Sequence, residues 1–420
     1  MKNSILFAVA VGGALLAQAE VMDRPTGIKI GQRMTVRPYV ALYYTWDSNI
    51  DSAKKSSVHD RDASSWNINP GLTFDYQAEN WSLSGGLYYQ NHAFCKNSSN
   101  LDQDSYGENV SFNWASSKES DKGWSLILTE TYAKISQDDD MSNHGGRGLG
   151  RDSEQIGVNG ALQRQFNEKW HAGVDGSYSL LDYANNSDKY APMYGWKRWT
   201  AGAQIGFVAS RWTDLLIAAN YQGYDQDNTV DRGGEYGEAK GRYIDSDSKG
   251  WSVMAGLGSH ATERISYRIM GGWSHFEYGG GAYDCDGFTY SISGNWMMSE
   301  DWTMMLMGSS YYQPSETAYG AARRSDCVSW GLAHSMVRGK LNATFDLNYR
   351  HQTSEYSEYE ASDYDEDIVT ARLGLNYTLN RFLAVFTSAE YQVYWANSSA
   401  AEGDYDYDRW RLSLGLRFTY

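Results

Sequence analysis

Arginine and carboxylate side chains recur at alternate positions of long amphipathic segments, an arrangement that can line a water-filled passage with fixed charge. If the arginines lie together on one side of the passage, they form a basic wall that would favour anions or orient polar solutes. The alternative is that the arginines pair with Asp346 and Glu390 and stiffen the protein. The candidate lining residues are Arg37, Arg268, Arg350, Arg372, Arg411, Arg417, Asp75, Asp175, Asp346 and Glu390.

An enzymatic interpretation would need His334 and Ser310, which fall on the apolar face of neighbouring segments. Alternation separates them by about four residues, roughly 13 Å at the usual rise of a strand. That distance is too large for a nucleophile and its base. The other histidines are scattered without metal-ligand spacing, and no phosphate loop or nucleophile elbow occurs. We therefore expect no catalytic residue, no metal and no cofactor.

The chain has three cysteines, an odd number that rules out a complete set of internal disulfides. Cys285 and Cys327 fall at the same ends of consecutive hairpins, which allows a disulfide in an oxidising compartment. Cys95 would be left over. Alternation does not fix the Cα separation that such a bond requires.

Acidic, tyrosine-rich stretches separate the amphipathic segments. The densest runs from Glu355 to Asp367, and others surround Asp138 to Asp140 and Asp404 to Asp408. Carboxylate oxygens could hold Ca²⁺, and tyrosines could stack on sugar rings, but the spacing of an EF-hand is absent. The favoured interpretation is a solvated charged rim. The acids of the densest stretch are Glu355, Glu358, Glu360, Asp363, Asp365, Glu366 and Asp367.

The segments that carry the lining residues have the period of β-strands. From Arg409 to Tyr420 every even position is apolar, whereas the odd positions include Arg411 and Arg417. The first segment spans Arg33 to Asp47, and its Pro38 predicts a bulge or a locally open register. Long polar loops alternate with tight turns throughout. The pattern predicts about 18 strands, with 16 or 20 as alternatives.

Aromatic residues make up 15% of the chain, with 33 Tyr and 16 Trp, and they cluster at strand ends. Membrane barrels place aromatic girdles at both interfaces. Backbone groups in lipid are satisfied only in helices or closed barrels, and the pattern predicts no helix. We therefore predict an all-β fold, a transmembrane antiparallel up-and-down β-barrel at residues 33–420, with its short turns on the periplasmic side.

The N-terminus has the features of a targeting segment. Lys2 supplies a positive charge, residues 5–17 are apolar, and residues 17–19 form a small-x-small cleavage site. We expect a cleaved signal peptide at residues 1–19 and a short periplasmic segment at residues 20–32.

The opening strands, RPYVALYYTWDSNI and then NPGLTFDYQAENWSLSGGLYY, resemble the putative β-barrel porin families of Gram-negative-type bacteria, especially the second putative porin type. The terminal strand resembles the closing strand of outer-membrane barrels, with Tyr420 where that family usually has Phe. These resemblances imply integral outer-membrane location and a pore-like architecture. Some relatives are linked to extracellular polysaccharide export.

We therefore expect a porin-like channel for passive diffusion of ions and small polar solutes. Its expected partners are outer-membrane lipid, the barrel-assembly machinery acting on the C-terminal strand, and as an open alternative a second copy of the chain. The formal charge of −16 argues against nucleic acid. The first competing interpretation is a structural or adhesive barrel with acidic, tyrosine-rich loops and a lumen closed by residues 225–248. The second, an accessory role in polysaccharide export, rests on the resemblance alone.

Overall fold

The computed structural model describes residues 27–49, 62–95, 103–116, 123–138, 151–183, 195–226, 247–259, 264–278, 284–314, 322–355, 364–398 and 405–420. The predicted signal peptide and most of the long loops lie outside these ranges. Within them all regular structure is β-strand. No helix in this part of the chain is long and apolar enough to cross a membrane.

Nineteen strands occur in the described residues, and all but the first are long. Their bounds are β1 Ile28–Ile30, β2 Met34–Asp47, β3 Ala63–Gln77, β4 Trp81–Phe94, β5 Gln103–Ala115, β6 Gly123–Asp138, β7 Arg151–Gln165, β8 Trp170–Tyr183, β9 Trp196–Ser210, β10 Thr213–Gln226, β11 Ser248–Gly258, β12 Ile265–Tyr278, β13 Cys285–Met297, β14 Trp302–Pro314, β15 Ala322–Met336, β16 Leu341–Glu355, β17 Tyr364–Asn380, β18 Leu383–Ser398 and β19 Tyr405–Thr419.

The strands β2 to β19 form a closed antiparallel ring. Each pairs with the next along the chain, and β19 pairs with β2 from Arg411 opposite Asp47 to Thr419 opposite Tyr39. The ring has 18 strands, which confirms the predicted fold class and strand number. The additional strand β1 pairs with the start of β2, with Ile28 opposite Val36. It lies within the predicted N-terminal segment.

Strand β2 passes through Pro38 without a bulge, and the second predicted alternative, a locally open register, occurs on one side only, between Val36 and Tyr39. The ladder to β3 continues with Pro38 opposite Leu72. On the other side, the Pro38 carbonyl accepts a hydrogen bond from the Tyr420 backbone N–H at 3.0 Å, and the ladder to β19 begins at the next residue, Tyr39. Proline is tolerated because its missing donor falls where the neighbouring strand ends.

Alternate side chains point outward and inward, as the period of a strand requires. The outward face of β19 is apolar and open, with Leu414 61% exposed and Trp410 46% exposed. On the inward face of the same strand, Gly415 leaves room for a close approach to β2. A Cβ there would lie 2.3 Å from the Tyr43 Cβ, so the joint between β19 and β2 depends on that glycine.

Exposed aromatic side chains encircle the barrel at two levels. One level, the turn-end belt, lies beside the tight turns, and the other, the loop-end belt, lies toward the long loops. The turn-end belt includes Trp81, Trp124, Trp170, Trp302 and Phe418, and the loop-end belt includes Tyr44, Trp66, Tyr89, Trp251 and Trp410.

Outward ion pairs lie beyond the loop-end belt. The Lys134 Nζ is 2.8 Å from the Glu154 Oε1, and the Lys249 Nζ is 3.1 Å from the Glu277 Oε2. Charged side chains are expensive within hydrocarbon. The apolar surface therefore forms a band between the two belts, as a membrane barrel requires.

Candidate functional site

The inward face of the ring carries the predicted lining residues. Arg372 alternates with the outward Leu373, Asp346 with the outward Leu347, and Arg268 with the outward Ile269. The same parity places Arg37, Arg350, Arg411, Arg417, Asp75, Asp175 and Glu390 on the inward face. The strands therefore position these side chains toward the lumen, and their chemistry depends on which of them meet.

Five charged side chains form a continuous network across four strands. The Arg409 Nε lies 2.9 Å from each oxygen of the Asp47 carboxylate. The Arg411 Nε lies 3.4 Å from the Asp47 Oδ2, and its Nη1 lies 3.3 Å from the Glu390 Oε1. The Arg372 Nε donates to the Glu390 Oε2 at 2.8 Å. We call Asp47, Arg409, Arg411, Glu390 and Arg372 the seam network, because it crosses the joint between β19 and β2.

The strand register explains this network. Asp346 lies opposite Arg372, Arg372 opposite Glu390, and Glu390 opposite Arg411, which in turn lies opposite Asp47. Directly opposed side chains of opposite charge stabilise neighbouring strands. The row alternates in sign from β16 to β2, so the predicted continuous basic wall is wrong. For Arg372 and Arg411 the alternative interpretation, pairing with acids, describes the structure.

The remaining predicted arginines lie apart from the seam network. Arg37 forms an ion pair with Asp75, and the Arg417 guanidinium carbon lies 5.7 Å from the centroid of the Phe386 ring. Arg268 and Asp175 line one small pocket of the lumen wall between β8 and β13. Arg350 lies opposite Cys327 on β15.

Asp47 and Arg409 were not among the predicted lining residues. Of the two ion pairs in the seam network that join β2 to β19, theirs is the shorter. Parity could have identified both. Asp47 lies an even number of residues from Arg37 on β2, and Arg409 lies two residues from Arg411 on β19, so each shares the inward face of its strand. Both lie near strand ends, where sequence patterns are least informative.

At the loop end of β15 to β19, inward side chains are buried. Tyr394 is 1% exposed, and its ring stacks on Tyr407 with centroids 4.9 Å apart. The Gln352 Nε2 donates to the Ser325 Oγ at 2.9 Å, and Glu366 is 2% exposed. We call these residues the loop-end lumen cluster. Side chains on the wall of a wide, water-filled pore would be exposed, so other parts of the chain cover these side chains.

The burial of Glu366 also corrects the predicted solvated rim. Strand β17 begins at Tyr364, so Asp365 to Asp367 belong to a strand rather than a loop. Asp367 accepts a hydrogen bond from the Tyr349 hydroxyl at 2.7 Å on the outward face. The remaining acids between residues 356 and 363 lie outside the described residues. No group of three or more potential metal ligands is assembled in the described ranges.

The predicted disulfide is wrong, because the two cysteines lie at different heights. Ser291 lies opposite Ser309, and Ser309 lies opposite Cys327. Cys327 is thus level with Ser291 on β13. Cys285 lies six residues farther along that strand, which is about 20 Å at the usual rise. Disulfides need Cα atoms about 4.4–6.8 Å apart.

Ser310 and His334 are also farther apart than predicted. Ser310 lies opposite Asp326, eight positions from His334 on β15, which is about 26 Å along the strand. His334 instead stacks on Trp302 with ring centroids 3.8 Å apart. The Trp302 ring belongs to the turn-end belt, so His334 lies beside that belt.

Solved structures with a similar overall shape share little sequence with this chain. The FrpB iron transporter from Neisseria meningitidis is 11% identical, with a TM-score of 0.47, and the match covers 93% of this chain and 82% of that one. A mutant of the ferric enterobactin receptor PfeA from Pseudomonas aeruginosa is 7% identical, with a TM-score of 0.45 and coverage of 92% and 80%. The siderophore receptor PirA from Acinetobacter baumannii is 7% identical, with a TM-score of 0.45 and coverage of 94% and 81%. No curated protein matches the sequence.

A family match covers the half of the barrel that contains most of the seam network. It begins within β10 and continues to Tyr420, whereas the resemblance noted in the sequence rested on the first strands. The two observations agree on the family. Residues 214–420 match the family described as "Putative beta-barrel porin 2", so this part of the chain is similar to that family.

Proposed function

We propose that the protein is integral to a bacterial outer membrane and forms a porin-like channel for passive diffusion of ions and small polar solutes. The observation that carries the proposal is the closed ring of 18 strands. Barrels of eight strands are filled by their own side chains, whereas barrels of 16 to 18 strands are wide enough to leave an aqueous passage. The family match to porins supports the same conclusion.

The two surfaces of the wall support a channel in a membrane. Between the aromatic belts the outward face is apolar, with Ile217 56% exposed and Val174 54% exposed. The inward face is polar and carries ion pairs such as Arg372 with Glu390. This division is the one expected for a barrel with lipid outside and water inside. In this orientation the turn end is periplasmic and the loop end is extracellular.

The loop-end lumen cluster favours a second candidate, a structural or adhesive barrel whose lumen is closed. Tyr394, Tyr407 and Gln352 face inward yet are at most 2% exposed. In the channel proposal they narrow the extracellular mouth on one side, and in the alternative they are part of a complete closure. Residues 227–246, which include most of the predicted constriction loop, lie outside the described residues.

Solute uptake by liposomes separates the two candidates. The purified, folded protein is reconstituted into liposomes, and swelling is followed in isosmotic solutions of uncharged sugars of increasing size. The channel predicts swelling that slows as the sugar grows. Folded protein that allows no swelling with the smallest sugar supports the closed barrel, and the same liposomes without protein provide the control.

A further inference from the structure

Arg417 faces the lumen near the turn end of β19 and differs from the arginines of the seam network. It is exposed, and its guanidinium carbon lies 5.7 Å from the centroid of the Phe386 ring on β18. Within the described part of the chain, no carboxylate forms an ion pair with it. By contrast, Arg372 and Arg411 share the Glu390 carboxylate. Arg417 therefore has guanidinium N–H groups that can bind an anion from the lumen.

Three inward aromatic rings surround Arg417. It lies between Ala384 on β18 and Ala41 on β2, whose short side chains leave space around the guanidinium. Larger side chains occupy the diagonal positions, two residues away on each neighbouring strand. Cβ atoms at such positions are about 7–8 Å apart, so long side chains can meet. We call the arginine and these three rings the aromatic cradle, which consists of Arg417, Phe386, Tyr39 and Tyr43.

Glycines on the neighbouring strands let two rings of the cradle lie against the wall. Phe386 lies opposite Gly415, and a Cβ there would be 2.7 Å from the Phe386 Cζ. Tyr39 lies opposite Gly71, and a Cβ there would be 2.4 Å from the Tyr39 hydroxyl. Each ring thus lies across bare backbone and turns its other face to the lumen. Both rings are half-buried, so that face is accessible.

Tyr43 forms the side of the cradle toward the long loops and is itself fixed. Its hydroxyl accepts a hydrogen bond from the Gln90 Nε2 at 2.7 Å. Its ring meets the Phe386 ring edge to face, with centroids 5.7 Å apart and planes at 62°. Glu390, which belongs to the seam network, lies four residues from Phe386 on β18, about 13 Å along the strand. The seam network therefore does not neutralise the positive charge of the cradle.

A cation beside accessible ring faces matches one class of solute. A carboxylate can accept two parallel hydrogen bonds from a guanidinium, and an aromatic ring attached to it can lie offset on Tyr39, as aromatic pairs prefer. An uncharged sugar would contact the rings but leave the charge unused, and an aliphatic acid would use the charge but offer no ring.

We propose that the aromatic cradle is a binding site for aromatic carboxylates, in which Arg417 binds the carboxylate and Tyr39 stacks on the ring. The proposal rests on the channel proposed above, because it names a class of solute for the same passage. The site lies near the turn end of the lumen, below the seam network.

Binding is measured by ligand-observed NMR titration of the folded, full-length protein in detergent micelles. Benzoate is the probe, benzamide has the ring without the charge, and cyclohexanecarboxylate has the charge without the aromatic ring. We expect benzoate to bind about tenfold more tightly than benzamide, because it gains charge-assisted hydrogen bonds. It should bind about threefold more tightly than cyclohexanecarboxylate, because aromatic stacking adds to area burial.

Variants assign each preference to its residue. Arg417→Gln should weaken benzoate binding about tenfold, to the level of benzamide. Tyr39→Leu should abolish the preference for benzoate over cyclohexanecarboxylate, whereas Tyr39→Phe should keep it. Arg164→Gln is the matched control, since the Arg164 guanidinium also lies over a ring, 4.8 Å from the Trp124 centroid, but on the outward face. It should bind benzoate like the parent.

Folding of every variant is checked by the mobility of unheated protein on a denaturing gel. Benzoate binding that is equal in the parent and in folded Arg417→Gln would overturn the proposal, and so would an equal loss in Arg164→Gln. If Arg417→Gln does not fold, the parent still decides, because equal binding of benzoate and benzamide would also overturn it.

The binding test is independent of conduction, because it needs no membrane gradient. Protein that binds benzoate as expected but allows no liposome swelling would reject the channel and retain the cradle as a binding site. Protein that allows swelling but shows no saturable benzoate binding would reject the cradle and retain the channel.

Discussion

Asp47 on β2 and Arg409 on β19 form an ion pair across the joint that closes the barrel, with the Arg409 Nε 2.9 Å from both carboxylate oxygens. Both side chains are largely buried, at 9% and 16% exposure. The backbone ladder of the same joint begins beside them, at Arg411 opposite Asp47. Closure of the ring thus combines a β-ladder with a specific inward ion pair.

Replacing Asp47 with asparagine should destabilise the barrel, because Arg409 would remain buried without its carboxylate. Breaking a buried pair by removing one partner costs about 3 kcal/mol or more. Urea unfolding of the reconstituted protein, followed by tryptophan fluorescence, measures the loss. Asp75→Asn is the matched control, since Asp75 is 52% exposed in its pair with Arg37 and exposed pairs contribute about 0–1 kcal/mol. Equal losses in the two variants would contradict this account of closure.

Replacing Glu390 with glutamine should make the channel more selective for anions. The change leaves Arg372 without the carboxylate that it contacts and removes one negative charge from the lumen wall. A unit charge about 10 Å from an ion in water contributes about 0.4 kcal/mol, which is about a twofold change in partition. The reversal potential under a salt gradient measures the change.

The control for that measurement is Glu277→Gln, which removes an outward carboxylate paired with Lys249. It alters the net charge of the protein equally but not the charge of the lumen. We expect its reversal potential to match that of the parent. A shift of equal size in both variants would place the effect outside the lumen.

The fold could be predicted from the sequence because alternation within a strand is a local property. The apolar even positions from Trp410 to Tyr420 define the outward face of β19 without reference to any other strand. The strand boundaries and the number of strands follow from the same pattern. Even Pro38, which predicted a bulge or a locally open register, lies within a strand that ends at the predicted Asp47.

The site could be predicted only in part because ion pairing depends on register between strands. Parity indicates that Arg372, Glu390 and Arg411 face inward, but not that they lie directly opposite one another. That register depends on where each hairpin turns, and an error of a few residues in a long loop changes every partner. The same error explains why Cys285 and Cys327 seemed able to meet in the sequence and lie about 20 Å apart along the strands.

Opening the loop-end lumen cluster should widen the passage. Tyr394→Ala removes a buried inward ring that stacks on Tyr407, and we expect a larger single-channel conductance. Tyr391→Ala is the control, because Tyr391 packs on Trp410 at the outward face, with ring centroids 4.4 Å apart. A conductance that is equal in Tyr394→Ala and the parent would show that the narrowest point lies elsewhere.

Adding a methyl group at Gly415 should impair folding of the barrel. A Cβ there would lie 2.3 Å from the Tyr43 Cβ and 2.7 Å from the Leu42 carbonyl oxygen, and overpacking of this kind costs about 1–3 kcal/mol. The folded fraction of Gly415→Ala, measured by mobility of unheated protein on a gel, should fall. Gly294→Ala is the control, since the nearest atom to its new Cβ lies 4.0 Å away. Equal folding of the two variants would contradict the tight joint.

The most direct test of the channel is the current through single molecules of the folded protein in a planar bilayer. A closed ring of 18 strands with a polar, ion-paired lumen predicts stepwise currents that are proportional to voltage and that increase with salt concentration. Protein that is shown to be folded and inserted but passes no current at any salt concentration would contradict the account.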